Sequence, residues 1–341
     1  MKVKNIKGKE ALGMKEKHVK VAVVQATPCM FDTPSTIKKA CELIEKVGAN
    51  GVKLMLFPEA FIGGYPKGMH LGVRVGIRTP EGRKDFRRYY ENAICVPGPE
   101  TDALCAAAAK VGSYLVTGII EKEENTSTVY CTALFIGPNG KVLGKHRKLV
   151  PTAAERLIWG SGDGSTLPVF KTPFGKIGAV ICWENYMPLL RSAMYGKGLD
   201  IYLAPTFDAR ESWQISMRHI ALESHCFVMT CNQFLPKSAF PADLKCYEEL
   251  ANQPDVLHRG GSAIINPFGE YVGGPLWDEE GIAYAELDLG QIQEARFDFD
   301  VTGHYTRPDV MRLYVNEKAQ KTFNYENTPD NAFAEEEEEV E

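Results

Sequence analysis

No run of 18 consecutive apolar residues occurs in the 341-residue chain, which excludes a helical membrane span. The opening segment MKVKNIKGKEALGMKEKHVK is basic but lacks the apolar core of a secretory signal, so export is not expected. There is no CxxC, no HExxH and no calcium-loop pattern, so no metal is predicted. Nothing resembles the basic face of a nucleic-acid binder. The formal charge of −5 rests on Asp330 and the six glutamates of EEEEEVE; without them 37 acidic residues face 39 basic ones. That run reads as a solvated tail. GSGDG at 160–164 precedes an apparent strand rather than opening a helix, which argues against a phosphate-cradling loop.

What is present is ordinary globular material, 44% apolar and 24% charged, with chain enough for a substantial core. Nine cysteines without export predict reduced thiols in the cytosol. VKVAVVQAT at 19–27 and VKLMLFPE read as buried strands, with a helix at Thr36–Val47 between them. GRKDFRRYYENA and TDALCAAAAKVG read as helices and SYLVTGIIE as a strand. FIGPNGKVLG, PVFKTPFGKIGAVIC and AIINPFGEYVG each set Pro and Gly between apolar runs, the signature of a turn between antiparallel strands. DIYLAP, FVMTCN and IAYAELDL add strands, and 187–197 and 211–225 add helices. The pattern predicts an α/β or α+β sandwich with helices over the sheet faces. A basic extension at 1–18, one domain at 19–310 and an arm at 311–341 with a disordered acidic end complete the expected organisation.

Of the thiols, Cys105, Cys131 and Cys231 fall inside apolar helix or strand patterns and read as inert core groups. Cys182 differs: it ends the buried run KIGAVIC just before a helix-like segment, where a nucleophile could sit near backbone N–H donors. No histidine offers a persuasive local partner as its base. Glu59 ends another buried strand between Phe57, Pro58 and Phe61, surroundings that would raise its pKa. From ordinary values the Glu–Cys gap is about 4 units, roughly 6 kcal/mol uphill for proton transfer, so a cation would help. GKHRKLVPTAAERLIWG supplies Lys145, His146, Arg147 and Lys148, followed by Glu155. It reads either as a solvated basic turn or as a lysine, oriented by a carboxylate, that stabilises developing negative charge.

These candidates coincide with a recognisable pattern. GVKLMLFPEAFIGGYP at 51–66, HRKLVPTAAERLIWGSGDGS at 146–165 and GAVICWENYMPLLR at 178–191 resemble the nitrilase superfamily, and specifically its nitrilase branch. HRGGSAIINPFGE at 258–270 and DFDVTGHYTRPDV at 298–310 extend the likeness. The resemblance implies an α-β-β-α sandwich that pairs into an α-β-β-α-α-β-β-α dimer and assembles further into spirals. It implies Cys182 as nucleophile, Glu59 as general base, Lys148 as the stabilising cation and Glu155 as a second carboxylate, with no cofactor. The partner would be a small-molecule nitrile, hydrolysed to acid and ammonia. Cyanide or β-cyanoalanine conversion with amide release is the alternative within the branch. A non-catalytic assembly module using 145–148 and the acidic tail is the alternative outside it. Trp183, Tyr65, Tyr186 and Met187 are the expected substrate-pocket residues.

Overall fold

The computed structural model describes residues 17–123 and 125–320. Most of the basic extension and the acidic end of the arm lie outside them. The first half runs β1 (His18–Gln25), α1 (Thr33–Gly48), β2 (Leu54–Leu56), a small hairpin of β3 (Val73–Arg74) and β4 (Ile77–Arg78), α2 (Pro80–Glu91), α3 (Pro99–Val111), β5 (Tyr114–Lys122), β6 (Val129–Ile136) and β7 (Val142–Arg147). The second half runs β8 (Val169–Thr172), β9 (Gly175–Ala179), α4 (Pro188–Gly196), β10 (Ile201–Pro205), α5 (Glu211–Ser224), β11 (Phe227–Cys231), β12 (Phe234–Pro236), β13 (Val256–Ile265), β14 (Tyr271–Trp277), β15 (Gly281–Asp288) and α6 (Gln291–Asp298).

Two sheets form. One has the order β15-β1-β2-β5-β6-β7; the other has β12-β13-β11-β10-β9-β8, with β14 beside β13. At the centre of each, three strands are parallel and joined through helices: β1, β2 and β5 in the first, β9, β10 and β11 in the second. Hairpins at the Pro/Gly turns, β6–β7, β8–β9 and β13–β14, extend both sheets, and a β5–β6 hairpin without Pro or Gly in its turn extends the first.

Side-chain alternation builds the layers. Along β1, Val21 and Val23 enter the apolar core that also holds Ile201 and Leu203 of β10 and Phe227 and Met229 of β11. The intervening Ala22 and Val24 face Ile37, Ala40, Ile44 and Val47 of α1 and Leu104 and Ala108 of α3. On the other side Tyr202, Ala204 and Val228 pack under Leu190 and Met194 of α4 and Trp213, Met217 and Ile220 of α5. A period of two in the strands, set against apolar helix faces, yields helix–sheet–sheet–helix layering. Fully burying each such Val, Leu or Ile contributes about 1.5–3 kcal/mol.

α1 starts where Asp32 accepts the Ser35 N–H (3.1 Å), with proline in its first turn. α6 carries no periodic signal in the sequence, because only Ile292 and Ala295 of it are buried, too few to set a period. No helix among the described residues is long and apolar enough to cross a membrane. The described part of the arm runs back along the surface, where the Gln320 N–H donates to Asp163 (2.7 Å).

Candidate active site

Glu59 and Cys182 each follow the carboxyl end of a parallel strand, β2 and β9, where open α/β sheets present their reactive groups. Lys148 directly follows β7, and Glu155 lies on a short 3₁₀ turn, Ala153–Leu157. The turns carrying the two carboxylates and the cysteine each hold a non-glycine residue in the left-handed region: Ala60 (φ 50°), Ala153 (φ 46°) and Cys182 itself (φ 51°). Each costs roughly 1–2 kcal/mol, strain of the kind that concentrates at functional sites. Asn185 Nδ2 donates to the Cys182 carbonyl (2.8 Å) and holds that turn. Gln233 Nε2 does the same for the Glu59 carbonyl (2.8 Å). Gly118 leaves room for the Glu59 turn, since a Cβ there would sit 2.6 Å from Glu59 Cα.

The four expected groups come together. Lys148 Nζ donates to Glu59 Oε1 and to Glu155 Oε2, both at 2.7 Å. Glu155 is further fixed by the Tyr65 hydroxyl (2.6 Å) and the Thr152 N–H (2.6 Å). Glu59 and Lys148 are fully buried, and Cys182 nearly so at 3% exposure. The Cys182 thiol lies close enough to the Glu59 carboxylate to feel its charge.

Burial pushes the Glu59 pKa up to about 7, with the Glu155 charge adding to it and Lys148 opposing. The raised value expected from its apolar flanks is thus present. Burial also raises the Cys182 thiol, as does the Glu59 charge, with Lys148 pulling the other way. Lys148 is destabilised as a cation by burial, yet Glu59, Cys182 and Glu155 outweigh that and hold its pKa well above the usual lysine value. The resting site is therefore a neutral thiol beside a Glu–Lys–Glu cluster.

A cavity of about 430 Å³ opens onto Cys182, lined also by Tyr65, Glu155, Trp183, Phe207, Asp208, Arg210 and His258. Tyr65 stacks on Phe207 (4.0 Å, 6° between planes) and meets Trp159 edge-on. Trp183 donates to Asp208 Oδ2 (2.9 Å) while Arg210 lies over its ring (4.8 Å). Tyr186 and Met187 do not line the cavity. Tyr186 packs edge-on against Trp183 and Trp213, and Met187 packs with the α4–α5 layer.

The reading of 145–148 as a solvated turn is corrected by strand alternation. Lys145 and Arg147 point outward to Glu121 (both 2.5 Å), whereas His146 and Lys148 are fully buried. His146 finds a partner no local pattern marked: its Nε2 lies 2.8 Å from Glu184 Oε2, and its Nδ1 meets the Thr166 carbonyl. With acceptors at both ring nitrogens the imidazolium is favoured. Burial opposes the charge, but Glu184 prevails and raises the pKa. Glu184 also accepts the Ile181 N–H and the Leu149 N–H, both at 2.6 Å. One buried carboxylate thus ties the residue before Cys182 to the residue after Lys148. All nine cysteines are free.

Residues 20–297 match the carbon–nitrogen hydrolase family. The chain is 54% identical over 303 residues to a bifunctional nitrilase/nitrile hydratase of Lupinus angustifolius, covering 88% of this chain and 86% of that one. It is 53% identical over 300 residues to an aliphatic nitrilase of Sinorhizobium fredii, covering 88% and 96%. Among solved structures it resembles Nit3 of Saccharomyces cerevisiae, a nitrilase-superfamily member, with TM-score 0.66 and 23% identity over 85% of this chain and 97% of that one. The NitFhit protein of C. elegans matches with TM-score 0.69 and 20% identity, covering 91% and 70%. Those likenesses establish the α-β-β-α sandwich, and the sequence matches place the chain in its family: it belongs to the carbon–nitrogen hydrolases, the nitrilase superfamily.

Proposed function

We propose that the protein hydrolyses organic nitriles to carboxylic acids and ammonia, with Cys182 as nucleophile, Glu59 as general base and Lys148 and Glu155 as the groups that organise charge. The observation that carries this reading is Lys148 Nζ, 2.7 Å from each of two buried carboxylates, beside a buried cysteine that opens on a cavity. Because the thiol is held neutral, it loses its proton only as it attacks. The Cys182 sulfur bonds to the nitrile carbon while its proton passes to Glu59 and on to the nitrile nitrogen, giving a thioimidate. Glu59 takes a proton from a water that adds to this carbon and returns it to nitrogen, giving a tetrahedral species. If its C–N bond breaks, ammonia leaves and a thioester remains, which a second water hydrolyses to acid and free thiol. If its C–S bond breaks instead, the amide leaves, an outcome in keeping with the nitrile hydratase in the name of the lupin relative. Lys148 and the backbone N–H of Trp183 stabilise negative charge as it develops.

Tyr65 and Trp183, on the cavity wall, would contact the substituent of the nitrile. Self-association is supported by apolar side chains exposed on the outer face of α5 (Ile215, Leu222), at the β13–β14 turn (Phe268) and at the start of β14 (Val272). The test is Cys182→Ala, assayed by ammonia, acid and amide release. Turnover should vanish while circular dichroism and elution volume stay as in the parent. A variant that still releases ammonia would sink the assignment.

A further inference from the structure

Cys131 of β6 is buried at 1% exposure, as its apolar strand leads one to expect, but it is not surrounded only by apolar groups. Its Sγ–H donates to Glu59 Oε1 at 3.5 Å, the same oxygen that accepts Lys148 Nζ at 2.7 Å. Its carbonyl accepts the Lys148 N–H at 2.8 Å. Glu59 Oε2 has no hydrogen-bond partner among the described residues. The two oxygens of one carboxylate are therefore unequal. Oε1 is occupied by two donors, and Oε2 is left with its lone pairs free.

We infer that Cys131 is a positioning residue, whose S–H joins Lys148 in pinning Glu59 Oε1 so that Oε2 is the oxygen that accepts protons during turnover. This rests on the reading of Glu59 as general base. The chemistry of the position fits. Burial raises the Cys131 thiol, with the Glu59 charge adding to it, so it stays protonated and serves as a donor. Ala133 and Phe135, further along the same face of β6, lie in the inter-sheet core with Cys131. The groups acting on Glu59 from the surrounding elements are Lys148, Glu155 and Cys182, with the Tyr65 and Tyr89 hydroxyls also sensing its charge.

A donor on a carboxylate favours its charged form, so removing one raises the pKa. Cys131→Ala and Cys131→Val both abolish the S–H. They differ in packing, because alanine leaves a void and valine overfills the site. If Cys131 positions the base, the acid limb of kcat/KM moves to higher pH in both variants, by about half a unit to one unit. Should Cys131 only fill space, that limb stays at its parent position in both, which would overturn the inference. The wild-type protein gives a second readout that needs neither variant to be active. The S–H stretch of Cys131, assigned as the infrared band lost in Cys131→Ala or Cys131→Val, should shift on Glu59→Gln; a band that does not move also overturns it. Failure of the underlying reading looks different: Glu59→Gln would then keep its activity, whatever the S–H band does.

Discussion

Replacing Glu184 by glutamine keeps the side chain's shape and removes its charge, which makes the consequence calculable from the hydrogen bonds. In the native site Oε1 accepts the Leu149 N–H, while Oε2 accepts the Ile181 N–H and faces His146 Nε2 at 2.8 Å. The glutamine oxygen can keep Leu149, and its amide can donate to a neutral His146. The Ile181 N–H, one residue before Cys182, then meets a donor instead of an acceptor. A buried N–H without a partner costs about 1–3 kcal/mol, and the loss of charge-assisted bonds raises the expected total to about 2–4 kcal/mol. For a chain of this size that corresponds to a fall in Tm of about 3–6 °C. Because the same carboxylate ties the Cys182 turn to the Lys148 segment, kcat/KM should fall about 10- to 100-fold at temperatures where the variant is fully folded. Thermal melts followed by circular dichroism, with ammonia release measured well below the transition, would check both numbers. A variant within 1 °C and twofold of the parent would show that the staple neither stabilises nor positions anything.

The same pair sets a pH dependence. His146 has a raised pKa, so its contribution is complete below its ordinary value of 6.5 and is lost as pH rises through the folded value. Glu184 has a lowered pKa, so its contribution is present above its ordinary value of 4.5 and is lost as pH falls through the folded value. The Tm difference between parent and Glu184→Gln should therefore be largest from about pH 4.5 to 6.5. It should narrow on both sides, and a gap that widens steadily above pH 8 would contradict the charged pair. Lys148→Met removes the cation from between Glu59 and Glu155 and should lower kcat by at least about 10²–10³-fold. It should also cost about 3–5 kcal/mol of stability through the uncompensated buried carboxylates, read by denaturant unfolding.

How much of this was legible beforehand depends on whether the signal was local. The alternation of Val21 and Val23 against Ala22 and Val24 marks a strand buried on both faces. The Pro/Gly turns mark the hairpins, and the helices between the parallel strands are periodic enough to read. Glu59 and Cys182 stand out because each breaks an apolar strand at its end. The period of two in KHRK carried the inward direction of His146 and Lys148, but its bases masked that signal by imitating a solvated turn. The His146–Glu184 and Cys131–Glu59 contacts had no local signature at all. Their partners lie 38 and 72 residues apart, and only the packing of β7 and β6 against the site turns brings them together. Tyr186 and Met187 failed to reach the cavity for a related reason. Nearness to Cys182 in sequence says little about direction on a tight 3₁₀ turn, which sends Met187 toward the α4–α5 layer.

The central claim is a covalent bond from the Cys182 sulfur to the substrate carbon. Mixing the wild-type protein with saturating nitrile, quenching in acid during turnover, and mapping the modified peptide by mass spectrometry tests it directly. The expected result is a thioimidate or thioester adduct on Cys182 alone among the nine cysteines, absent from Cys182→Ala. An adduct on any other residue, or ammonia release from an enzyme that carries none, would contradict it.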